Sequence, residues 1–110
     1  PSPILFHKDK ISELEGHDPF LGPIQESIYQ TRKIKIESGD SLLLFTDGVV
    51  ELLGDDELDI DIGEKNLCKI AYEYKGSDPW EMVNHLKQEL HTSSIKDEFK
   101  DDFTLFAIKF

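Results

Sequence analysis

Ile4-Leu5-Phe6 and the stretch from Ile11 to Leu14 are short apolar-rich runs separated by the polar Lys8-Asp9-Lys10. This pattern predicts two strands, Ile4 to His7 and Ile11 to Leu14, joined as a hairpin. Gly16 to Pro23 carries two Gly and two Pro and is expected to be loop. Ile28, Ile34 and Ile36 then sit at even positions with polar residues between them, the period of a half-buried strand from Ile28 to Ile36. After a turn at Ser38-Gly39-Asp40, Leu42-Leu43-Leu44-Phe45 shows no alternation, which predicts a central strand covered on both faces. That strand is expected to end in a turn at Thr46-Asp47-Gly48. Leu67, Ile70, Ala71 and Tyr74 recur at spacings of three and four, predicting a helix from Glu64 to Tyr74 with Gly76 as its stop. A second helix, Pro79 to about His91, is signalled by Asp78 as cap, Pro79 at the first position and Glu81 completing a capping box; Val83, Leu86 and Leu90 line one face. Ser93 to Lys100 reads as loop. Phe103 to Phe110 reads as a closing strand, apolar on both faces and central. Strands on either side of a helical pair give an α+β layered fold.

The 110 residues suit one domain, and 38% apolar content is enough for a core. The 23 Asp and Glu against 12 Lys and Arg leave a net charge of −11. That balance argues against nucleic acid, whose phosphates need clustered Lys and Arg. The apolar runs fall far short of the roughly 20 residues that a membrane-spanning helix needs. Cys68 is the single cysteine, which rules out an internal disulfide or a thiolate zinc cluster and fits a cytoplasmic location. The chain opens Pro1-Ser2-Pro3, without Met, and is expected to be a piece of a longer protein.

Two acidic positions stand where chemistry could occur. Asp47 follows a buried strand and precedes Gly48, and Asp101-Asp102 directly precedes the last strand. Taken singly, each reads as an ordinary strand boundary. If both strands are central, however, their ends bring Asp47 and Asp101 together across 54 residues of sequence. Paired carboxylates repel unless a cation lies between them, and all-oxygen donors suit Mg²⁺ or Mn²⁺.

The stretch from Ser38 to Glu51, with its Gly39-Asp40 and Thr46-Asp47-Gly48, followed by Asp101-Asp102-Phe103-Thr104-Leu105, resembles the second half of a SpoIIE/RsbU-type serine/threonine phosphatase domain. That group belongs to the metal-dependent PPM, or protein phosphatase 2C-like, superfamily. Pro3-Ile4-Leu5 to Leu14 resembles the hairpin after the family's Gly-His element, and Phe20-Leu21-Gly22 resembles its Pro-Leu-Gly loop.

The resemblance implies a partial αββα sandwich of antiparallel sheets with two helices, its N-terminal half missing, and residues 1–110 as the C-terminal portion of one domain. It makes Asp47 and Asp101 the catalytic, metal-ligating carboxylates and Asp102 their neighbour. Gly48 becomes the residue that permits a tight turn, and Glu51 the family's acidic position three residues beyond it. The cofactors implied are two Mn²⁺ or Mg²⁺ ions that activate water to hydrolyse phosphoserine or phosphothreonine. The implied substrate is a phosphorylated regulatory protein such as an anti-sigma-factor antagonist, and the setting is signal transduction under an upstream sensor. The family's early aspartate lies outside this sequence, so the segment alone holds at most half a metal site and is expected to be inactive. The alternative is a phosphatase-like domain without catalysis that serves as a regulatory or binding module. A sandwich cut through its sheets exposes apolar faces, so self-association is also expected.

The remaining candidates point to structure. Asp55 to Asp61 is expected to be a solvated loop, because Ile60 and Asn66 stand where a calcium loop needs Gly and Glu. His85 and His91 fall on different helix faces, and His7 and His17 are expected at the surface. Trp80 is expected to anchor the second helix, and Cys68 to be an inert buried thiol.

Overall fold

The computed structural model describes residues 1–16, 18, 22–54, 60–93 and 102–110. The first apolar run forms β1 (Ile4–His7), which turns into β2 (Lys10–Glu13) with Ile4 opposite Glu13 and His7 opposite Lys10. Lys8 takes a left-handed φ of 52°, the conformation that a two-residue hairpin demands of its first turn residue. β3 (Ser41–Phe45) lies between β1 and β4 (Leu105–Lys109), and all pairings in the order β2-β1-β3-β4 are antiparallel.

Register decides which side chains share a face. Ile4, Leu43 and Ala107 stand side by side, as do Phe45 and Leu105, and this face meets the helices. Among the described residues three helices cover it, one more than expected: α1 (Asp47–Leu53), α2 (Ile60–Glu73) and α3 (Pro79–Ser93). Val49, Val50, Leu53, Leu67, Ala71, Met82, Leu86 and Leu90 join Ile4, Phe6 and Leu43 in one buried core. The result is one antiparallel sheet under a helical layer, the partial α+β arrangement anticipated.

Several local expectations are corrected. Thr46-Asp47-Gly48 opens α1 and is not a strand-ending turn, so Gly48 is a helical residue outside the positive-φ region. α1 forms because Val49, Val50 and Leu53 make a helical stripe that docks on the core, which outweighs the weak helix propensity of Gly and Val. α2 begins at Ile60, taking in the end of the predicted acidic loop; residues 55–59 of that loop lie outside the described residues. Residues 28–36 form no strand, with Ile28 83% and Ile34 45% exposed, because alternation alone gives the backbone no pairing partner. β4 is shorter than predicted and is an edge strand. Trp80 is 71% exposed: Met82 faces the core, and two positions earlier on a helix is nearly the opposite side.

α3 starts as its sequence dictates, with Asp78 Oδ1 accepting the Trp80 N–H at 2.8 Å. Beyond α2, Lys75 Nζ reaches Asp9 at 2.9 Å and lies over the Tyr72 ring, while Lys109 Nζ donates to the Gly76 carbonyl at 2.8 Å. These contacts tie the helix end to both edges of the sheet. The other sheet face carries Leu42, Leu44, Ile108 and the exposed Phe106, a row with no helix of this layer over it.

One turn is fastened by a buried carboxylate. Asp40 is 2% exposed; its Oδ2 accepts the Glu37 N–H at 2.8 Å and its Oδ1 meets His7 Nδ1 at 2.7 Å. His7, expected at the surface, is therefore a half-buried partner that joins β1 to the turn before β3. Gly39 supplies that turn with φ 94°, a value side chains resist. The Glu37 N–H, opposed by burial and reinforced by His7, holds the Asp40 carboxyl below the usual carboxylate range. A lowered folded pKa means stability that is present above the unfolded pKa of about 3.9 and is lost as pH falls through the folded value. Asp40→Asn is expected to lower the urea midpoint at neutral pH. It should also flatten the decline of that midpoint below about pH 4; an unchanged acid limb would contradict the assignment.

Candidate functional site

β3 delivers the chain directly into α1, so Thr46 stands at the N-cap and Asp47 at the first helical position. The Asp47 carboxylate is 63% exposed and lies 3.6 Å from the amino group of Pro1. Across the sheet, the residues leading into β4 are drawn to the same place. The Thr46 N–H donates to the Thr104 carbonyl at 3.1 Å, the Thr104 N–H donates to Thr46 Oγ1 at 2.8 Å, and Thr46 Oγ1 donates to the Asp102 carbonyl at 3.4 Å. An open cleft of about 380 Å³ results, lined by Pro1, Phe45, Thr46, Asp47, Gly48 and Asp102.

Asp47 and Asp102 thus share one cleft, although they lie 55 residues apart in the sequence. Asp101 lies outside the described residues. Gly48 lines the cleft and is buried in the first turn of α1. Glu51 is exposed one helical turn beyond Asp47 and does not line the cleft. Among the described residues, no group of three or more His, Cys, Asp or Glu side chains could hold a metal ion. Asp47 and Asp102, which both line this cleft, carry hard oxygen donors of the kind Mg²⁺ and Mn²⁺ prefer, a partial set for such an ion. The residue that sequence reasoning missed is Thr46, whose only signal was its place beside Asp47.

The other candidates stay apart from this cleft. A second cavity of about 470 Å³ lies between β2 and α2, lined by Ile11, Glu13, Glu64, Lys65, Cys68 and Lys69. Burial, then the charges of Glu13 and Glu64, push the Cys68 thiol up, which disfavours its thiolate; the residue, expected to be buried, is half-buried. His85 stacks on Tyr74 with ring centroids 4.2 Å apart. His17 and the Phe20-Leu21 portion of the expected loop lie outside the described residues.

Comparison with known proteins places this geometry in context. The phosphatase domain of the cell fate determinant SpoIIE from Bacillus subtilis matches with a TM-score of 0.65 and 20% identity, over 98% of this chain and 47% of that one. The PP2C phosphatase domain of the same protein with a fragment of its regulatory domain gives 0.74 and 18% identity, over 99% and 31%. The phosphatase domain presoaked with Mn gives 0.62 and 19%, over 99% and 46%. At these identities the likeness is one of fold, and the chain spans less than half of each solved chain. No curated protein sequence matches it. The family model for stage II sporulation protein E (SpoIIE) matches residues 1–110, the whole sequence, so the chain belongs to the SpoIIE family.

Proposed function

We propose that this chain is the C-terminal portion of a SpoIIE-type phosphatase domain and that the complete domain is a metal-dependent protein serine/threonine phosphatase. The observation behind this reading is the convergence of Asp47 and Asp102 on one open cleft through the bonds of Thr46. Asp47 and Asp101 are the proposed metal-holding carboxylates, with Mn²⁺ or Mg²⁺ suited to oxygen donors; the Mn used with the Bacillus subtilis domain agrees with that choice. When bound, such an ion supplies an activated water and stabilises charge on a phosphoryl oxygen.

The protein's own groups set the stage for that chemistry. The exposed Asp47 carboxylate stands in the first turn of α1, and Gly48 leaves the cleft beside it without a side chain. Asp102 adds a second carboxylate to the residues that line the cleft. No covalent nucleophile is required of any Ser, Cys or His. The proposed substrate is a phosphoserine or phosphothreonine on a regulatory protein such as an anti-sigma-factor antagonist. Neither nucleic acid nor a membrane is a proposed partner of this segment, in keeping with its net charge of −11 and with the absence, among the described residues, of any helix long and apolar enough to cross a membrane.

The test is Mn²⁺-dependent hydrolysis of a generic phosphate ester by the full-length protein, beside its Asp47→Asn variant. A folded, metal-replete protein without activity would move the assignment to a non-catalytic regulatory module. The apolar sheet face bearing Leu42, Leu44, Phe106 and Ile108 gives the isolated segment a surface for self-association. Light scattering of residues 1–110 is expected to give a mass above that of one chain, and a monomer at high concentration would refute it.

A further inference from the structure

Thr46 occupies the N-cap of α1 with extended backbone, φ −101° and ψ 166°. A threonine at that position ordinarily turns its hydroxyl onto a free N–H of the first helical turn. Here it makes no such bond. Its Oγ1 is committed across the sheet, accepting from the Thr104 N–H at 2.8 Å and donating to the Asp102 carbonyl at 3.4 Å, while the backbone N–H bonds Thr104 O at 3.1 Å. The last ladder pair is Phe45 with Leu105, so these bonds carry the β3–β4 pairing past the end of the strands, to the point where one chain becomes Asp47 and the other Asp102.

Two carboxylate-bearing segments brought to one cleft repel each other until a cation arrives. Something other than the carboxylates must hold them near. We propose that Thr46 is a positioning residue whose hydroxyl clamps the backbone of Asp102 and Thr104 against the start of α1, keeping the two acidic motifs in register to share a divalent cation. The proposal rests on the phosphatase reading above. Thr46, Asp102 and Thr104 are all exposed, so water can satisfy the freed backbone groups when the hydroxyl is removed. The loss therefore falls on geometry at the cleft and little on stability.

The experiment is calorimetric titration of Mn²⁺ into the metal-free full-length protein and its Thr46→Val, Thr46→Ser and Asp47→Asn variants, with metal-free thermal melting of each. Thr46→Val is expected to weaken Mn²⁺ binding about tenfold or more, as loss of a group that orients a ligand does, with its metal-free melting close to wild type. Thr46→Ser restores the hydroxyl and should restore affinity. Should Thr46→Val fail to fold, Thr46→Ala is read in its place. Wild-type affinity in Thr46→Val together with weakened binding in Asp47→Asn would overturn the clamp and leave the phosphatase reading standing. Weak binding that Thr46→Ser does not rescue would overturn it as well, since the methyl group would then be responsible. Unchanged binding in Asp47→Asn would remove the metal site itself.

Discussion

Asp47→Asn in the full-length protein is expected to cut metal-dependent phosphate-ester hydrolysis by about 10³-fold, equivalent to about 4 kcal/mol of transition-state stabilisation. The substitution keeps the shape of the side chain and removes its charge. Because the carboxylate is 63% exposed and belongs to no core contact, its removal has little reason to disturb folding. Lost activity in a variant with unchanged melting would therefore report on the cleft, and retention of more than about a tenth of the activity would show that Asp47 is not a ligand. Raising Mn²⁺ is expected to recover part of the rate in the variant, since an amide oxygen still donates weakly to a hard cation.

The features legible in the sequence are those set by local chemistry. Asp78 and Pro79 fixed the start of α3 because capping acts within one turn, and the hairpin followed from two apolar runs flanking Lys8-Asp9. α1 was hidden, since Gly48, Val49 and Val50 are poor helix formers and only docking on the core makes their stripe meaningful. Residues 28–36 failed in the reverse direction: the alternation was real, but a strand also needs a neighbour, and none among the described residues pairs with it. At the cleft, Asp47 was picked out from its Thr-Asp-Gly setting and expected to meet Asp101 if both strands were central; Asp101 lies outside the described residues, and it is Asp102 that lines the cleft with Asp47, because β3 and the edge strand β4 are adjacent. The bonds of Thr46 had no sequence signal, because its hydroxyl partners lie 56 and 58 residues away.

Gly63→Ala is expected to destabilise the protein, although helix propensity alone predicts a gain of about 0.5–1 kcal/mol for replacing a helical glycine. Gly63 is buried where α2 crosses α1, and a Cβ built on it would coincide with the carbonyl group of Val50. The obstacle is backbone and cannot swing aside as a flexible side chain would, so the helices must separate. Overpacking of this kind costs about 1–3 kcal/mol, and a backbone obstacle belongs at the upper end. The crossing is further pinned by Asn66, whose Nδ2 donates to the Leu53 carbonyl at 2.7 Å and satisfies a free acceptor at the end of α1. Separation would break that bond too. A net loss of about 2 kcal/mol should lower the melting midpoint by roughly 5 °C or more; a higher midpoint would mean that the two helices have room to spare. Because α1 begins at Asp47, any shift that relieves Val50 also moves the carboxylate in the cleft. Gly63→Ala should therefore weaken Mn²⁺ binding along with stability, linking the close contact of α2 with Val50 of α1 to the geometry of the proposed metal site.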